Sequence, residues 1–287
     1  MKILKIFTHR KQLLNLIAAA VVSIFSANVI AGETSSVNMT PMQGGDPPPD
    51  ARDPFANSGG YEYRGMAGWE ETDEIAIGKI IVDQLEYRSG DKENLQRWDM
   101  QGWYGTDYDK LWLKFEGDIP VGKSEGELEL QTLYSRAVSA YWDMQFGARF
   151  DRIYGGGSSD SRLLGVFGFQ GLAPYWFDVE PAVFIDDDGN LSARLTATYD
   201  LLFTQRLILQ PRTEFNLSAN DVPKFGVGKG LNDLQLGLRL RYEFTREIAP
   251  YVGVAWQKQY ADTANFTSAD GGIVEDAKIL AGIRLWF

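Results

Sequence analysis

The side chains with the most chemistry to offer are a few thioethers and a set of carboxylates. Met39-Thr40-Pro41-Met42 places two sulfurs in one tetrapeptide, and Met66 follows downstream. Thioethers are soft, neutral ligands that favour Cu(I) over hard cations. The same residues also fit two ordinary methionines in a polar segment. The carboxylates Glu127, Glu129, Asp143, Asp178 and Glu180 lie further along, mostly between apolar neighbours. In a strand this spacing turns the acids to one face and the apolar residues to the other. A line of inward carboxylates could bind or conduct a cation. Asp186-Asp187-Asp188-Gly189-Asn190 could hold a hard cation through oxygens, or form a solvated turn.

What is missing narrows the chemistry further. The chain has no cysteine, and its one histidine is His9. His9 sits among Lys2, Lys5, Arg10 and Lys11, ahead of an apolar run from Leu13 to Phe25 and the small-residue stretch Val29-Ile30-Ala31. That order is a secretory signal, residues 1–31, with cleavage before Gly32. The apolar run is too short for a spanning helix, which needs about 20 residues. Cleavage leaves a chain without histidine, carrying 24 basic against 39 acidic side chains, net −15. Thiolate sites, cysteine nucleophiles and Ser-His-Asp hydrolysis are excluded. Nucleic acid, which demands a basic surface, is not an expected partner. The expected role is non-enzymatic.

The elements that must position these groups fall into two segments. Residues 32–79 contain Gly44-Gly45, Pro47-Pro48-Pro49 and Asp53-Pro54. Such a composition reads as a flexible arm, placed in the periplasm by the signal. Residues 80–287 read as twelve strands, near 80–88, 96–105, 109–118, 125–138, 140–151, 162–171, 174–185, 190–202, 205–217, 233–244, 249–259 and 276–287. Long or polar connections are expected to alternate with tight ones, and an even strand count puts both chain ends on the tight side. The final strand Lys278–Phe287 closes on an aromatic. These features predict an all-β fold: a transmembrane antiparallel β-barrel of about 12 strands in a Gram-negative outer membrane.

With apolar faces toward lipid, the lumen collects charge of both signs. The expected inward set includes the five carboxylates above, with Glu86, Arg88, Arg97, Asp99, Lys114, Glu116, Arg149, Arg194, Arg212, Glu214, Arg239, Arg241 and Arg284. One reading is a salt-bridged interior that stands in for a hydrophobic core. The other is a selective cation path. Twelve strands lie between the filled eight-stranded barrels and the open pores of 16 to 18.

Several stretches resemble a known family. They include Met42-Gln43-Gly44-Gly45, Pro48-Pro49-Asp50-Ala51-Arg52-Asp53-Pro54, Gln170-Gly171-Leu172-Ala173-Pro174-Tyr175-Trp176-Phe177, Leu202 through Arg212, Gly237 through Glu243, and Ile248 through Val254. Together they look like the copper resistance protein B family of Gram-negative bacteria. The resemblance implies an outer-membrane barrel that sequesters periplasmic copper or moves it outward. It implies copper ions, outer-membrane lipid and a periplasmic copper-handling protein as partners. Family members usually carry a longer Met- and His-rich arm, whereas this chain has only Met39, Met42 and Met66 there. The alternative is a narrow passive channel, or a structural barrel with no specific copper site.

Overall fold

A computed structural model of the protein describes residues 76–155 and 158–287. The signal, most of the expected arm, and the candidate ligands Met39, Met42 and Met66 lie outside the described residues. The strands are β1 (Ile77–Gly90), β2 (Leu95–Gly105), β3 (Asp109–Pro120), β4 (Gly126–Ser139), β5 (Trp142–Gly155), β6 (Ser158–Ala173), β7 (Phe177–Asp186), β8 (Leu191–Thr198), β9 (Leu201–Leu202), β10 (Leu207–Ser218), β11 (Gly230–Tyr242), β12 (Ile248–Gln259) and β13 (Glu275–Trp286). One helix, α1 (Ala261–Ala269), precedes β13. Both β8 and β9 pair with β10, so they are two pieces of one stave. Every stave is antiparallel to its neighbours, and β1 pairs with both β2 and β13. The sheet is therefore a closed barrel of twelve staves. At the seam, Ile80 N donates to Phe287 O (3.0 Å) and Phe287 N to Ile80 O (2.9 Å).

The barrel is inverted relative to a soluble protein. In β4, Glu129, Gln131, Leu133 and Ser135 are buried, while Leu130, Thr132 and Tyr134 between them are exposed. The outward residues Leu85, Leu111, Phe146, Leu163, Phe167, Val183, Leu236, Leu238, Val252 and Ile279 are likewise exposed. A continuous apolar exterior of this extent has no place in water. Closure satisfies every edge, which is what a sheet requires in order to cross hydrocarbon.

The strand assignment from sequence holds with local corrections. β1 begins at Ile77, so the last three residues of the segment 32–79 belong to the barrel. Pro174–Trp176 is a 3-10 turn rather than the start of a strand. Proline cannot donate to a ladder, and Tyr175 and Trp176 sit at φ 66° and 68°, a left-handed conformation rare for bulky residues. The expected strand 190–202 breaks after Thr198. Strict alternation of connection length does not hold either. β5 and β6 extend until only residues 156–157 join them, and the long connections are 219–229 and 260–274. Still, both long connections lie at one end (the loop end), and Ile77 and Phe287 lie at the other (the terminus end). At the loop end, Lys123 bridges Glu93 and Glu125, which hold its ammonium pKa above the usual value.

Candidate functional site in the barrel lumen

The lumen is built by inward side chains that mostly pair across it. On β8, Arg194 grips Glu129 of β4 with both ends of its guanidinium (3.1 and 2.8 Å), and reaches Glu116 of β3 at 3.4 Å. Its Nε donates to Asn216 at 3.1 Å, with Glu214 at 3.6 Å. Arg212 of β10 spans to Asp99 of β2 (2.7 Å) and also holds Glu214 (3.1 Å). Glu129 further receives Arg149 (2.7 Å), and Arg97 receives Asp118 (2.8 Å) and Glu116 (3.5 Å) as partners. Nearby, Glu86 is fully buried between Arg88 (2.7 Å) and Arg239 (2.6 Å), with Tyr251 donating at 3.0 Å. Each such group would be costly alone in a low-dielectric interior, so the charges are held by mutual pairing. They form a belt at mid-depth.

An apolar cluster backs one side of this belt. Trp112, Leu133, Leu164, Val166 and Phe184 are buried inward residues of β3, β4, β6 and β7. Arg149 and Arg194 both stack on Phe184, at 4.6 and 5.8 Å from its ring centre. The lumen is thus not polar throughout, as the alternation had suggested.

The belt separates two cavities. The terminus-side chamber, about 410 Å³, is lined by six glutamines (Gln84, Gln101, Gln131, Gln145, Gln170, Gln210), by Lys114, Asp178, Glu180 and Arg284, and by Trp112 and Trp176. The loop-side chamber, about 280 Å³, is lined by Asp118, Glu127, Glu129, Asp151, Asp233, Arg97, Arg149 and Arg162. Glu116, Phe184 and Arg194 border both. The long connections roof the loop-side chamber through Val222, Phe225 and Thr263. Gly228 N donates to the buried Thr263 Oγ1 at 2.8 Å, and Arg162 lies 4.4 Å from the Phe225 ring centre.

The five expected carboxylates all point inward, but the barrel does not gather them into one cluster. Glu129 is inside the belt. Asp143 binds Lys110 (3.0 Å) and Ser135 (3.1 Å) near the terminus end. Glu180 binds Lys114 (2.7 Å) and Gln170 (3.1 Å). Asp178 and Glu127 face one chamber each, and among the described residues neither side chain has a hydrogen-bond or ion-pair partner. Among the described residues, no three acidic groups converge closely enough to hold a metal ion. Asp186 is spent on its own turn: it accepts from Asp188 N (3.0 Å), Asn190 N (2.8 Å) and Asn190 Nδ2 (2.9 Å).

This architecture can be set beside known proteins. Residues 76–287, the whole barrel, match the family described as copper resistance protein B precursor (CopB). A copper resistance protein B homolog of Pseudomonas syringae pv. tomato is 41% identical over 225 residues, covering 78% of this chain and 75% of its own. Copper resistance protein B of Escherichia coli is 41% identical over 208 residues, covering 72% of this chain and 69% of its own. This chain belongs to the copper resistance protein B family. Among solved structures, a NanC porin aligns with a TM-score of 0.46 at 12% identity, over 73% of this chain and 99% of that one. As a copper resistance protein B, the chain has a role in copper resistance and sits in the outer membrane. A signal peptide at residues 1–31 accords with the family's description as a precursor.

Sequence reasoning missed several lumenal groups of this copper resistance protein B barrel. Asp83 should face lipid by strict alternation, but the register shifts between Val82 and Gln84. The resulting bulge turns Asp83 inward, onto Gln101 (2.6 Å) and Arg284 (3.1 Å). Asp118 and Asp151 continue the period-two lines of Glu116 and Arg149, and that continuation was the available signal. The glutamines carry no charge and so escaped a search for charge.

Proposed function

We propose that the protein intercepts copper at the periplasmic face of the outer membrane and admits it to the barrel. The terminus end would face the periplasm, as the short-turn side of such barrels does. Met39 and Met42, with Met66, would capture Cu(I) handed over by a periplasmic copper-handling protein. From Met66 to Ile77 the chain can extend at most roughly 35–40 Å, enough to bring a thioether to the terminus-side mouth. Asp178, with Glu180 beside it on β7, would receive the ion there. No bond of copper's carrier need be cleaved, so the role is non-enzymatic.

The observation that carries this reading is the free carboxylate of Asp178. Five of the six chamber glutamines donate their amides to carboxylates, on Asp99, Asp83, Glu129, Glu180 and Asp200. Asp178 is passed over. A carboxylate left bare among satisfied neighbours is available to an incoming cation.

The test is Met39→Leu/Met42→Leu in purified full-length protein titrated with Cu(I). Loss of the tightest binding is expected, and unchanged titration would remove the thioether site. Thioethers do not titrate, so that capture should persist in acid. Binding at carboxylates requires the ionised form, and should weaken as pH falls. The salt-bridged belt favours a second reading, a structural barrel without copper contact. Copper sensitivity of a deletion strain, complemented equally well by the barrel lacking residues 32–75, would select it.

A further inference from the structure

We infer that Arg194 is the gate of a cation path running the length of the barrel. The inference extends the copper reading but does not depend on it, because any small cation can probe the path.

The two large cavities of the lumen both border Arg194, and a third of only about 30 Å³ lies among Arg88, Arg97, Arg212 and Arg239. Its guanidinium bridges from β8 to Glu129 and Glu116 on the far wall. Those are contacts across open lumen, not along the sheet. A cation moving directly between the two large chambers meets this guanidinium, which repels it and fills the space. Swinging Arg194 aside would leave Glu116, Glu129, Glu214 and Asp99 facing only Arg97, Arg149 and Arg212. The passage would then carry an excess of acid, which favours cations in selective pores. Asp178 lines one chamber and Glu127 the other, each without an ion-pair partner among the described residues.

Arg239 is the useful contrast. It is more deeply buried and pairs with Glu86, but it borders neither of the two large chambers.

The experiment is conductance of the full-length protein in planar bilayers under a potassium chloride gradient. Wild type is expected to be nearly closed. Arg194→Gln should raise conductance at least roughly tenfold, with a reversal potential showing cation selectivity. Arg194→Lys keeps the charge but loses the two-ended grip on Glu129, and should give flickering, intermediate conductance. Arg239→Gln should stay closed. Heat-modifiable migration on gels confirms that each barrel is folded. The gate is overturned if folded Arg194→Gln conducts no better than wild type, if it selects anions, or if Arg239→Gln opens equally. These outcomes are independent of the Met39/Met42 titration, so either proposal can fail without the other.

Discussion

The two chambers share a belt and differ in what covers them. Each is lined by six side-chain amides and four cationic side chains, with six acids at the terminus end and eight at the loop end. Only Trp176, Tyr199 and Asp200 reach the terminus-side chamber from the connections at that end, whereas the two long connections roof the loop-side chamber. The contrast teaches that the two mouths, rather than the two linings, distinguish the ends of the barrel, with the belt as the common wall.

If the belt supplies the stability and the chambers supply the function, mutations should separate the two. The largest effect is expected from Arg239→Ala. It breaks one of the two buried ion pairs of Glu86 and leaves Arg88 and Tyr251 to hold the carboxylate; breaking a buried pair typically costs about 3–5 kcal/mol. Urea unfolding of the detergent-refolded barrel would show it. A shift under about 1 kcal/mol would mean that the belt is not what holds the lumen together.

A smaller effect is expected at the roof. Thr263→Val keeps the shape of the side chain but removes the acceptor for Gly228 N, leaving a buried donor unsatisfied at a cost of about 1–3 kcal/mol. The cost should be local. Hydrogen exchange is expected to rise in residues 219–229 and 260–274 while the strands stay protected. Exchange rising equally in the terminus-end turns would break the distinction between a roofed end and an open one.

The barrel itself was legible because alternation is written into each strand. Leu128-Glu129-Leu130-Gln131 in β4 and Leu238-Arg239-Leu240-Arg241 in β11 declare lipid and lumen faces without any tertiary information. What could not be read were the departures from period two. The bulge at Asp83 depends on pairing with β2, and the break after Thr198 depends on how β8 and β9 share β10. The helix α1 is short and nearly without an apolar face, so a polar loop was the natural expectation. The inward-facing carboxylates were legible too, but their division was not. Whether an acid is paired depends on which arginine crosses the lumen to meet it, and Arg194 meets Glu129 from 65 residues away. Leu133 and Phe184 were hidden for a related reason: an apolar residue on a lumenal face looks like a phase error until its neighbours are known.

The smallest effect on stability, and the sharpest on function, is expected from the two free carboxylates. Asp178→Asn and Glu127→Gln break no ion pair, so each should change stability by no more than about 0.5 kcal/mol. Their consequences for copper should nevertheless differ. Asp178 faces the chamber at the end where the chain enters the barrel, ahead of the gate, so Asp178→Asn should weaken copper binding beyond the thioether site. Glu127 lies past Arg194, so Glu127→Gln should leave binding unchanged when copper is supplied only at the terminus end and Arg194 is in place. In the Arg194→Gln background, where the chambers communicate, Glu127→Gln should begin to matter. Copper titration of wild type and the four variants in oriented liposomes, with copper on the terminus side, decides the point. Equal losses from Asp178→Asn and Glu127→Gln with Arg194 intact would show that ions reach both chambers freely, and that the belt does not divide them.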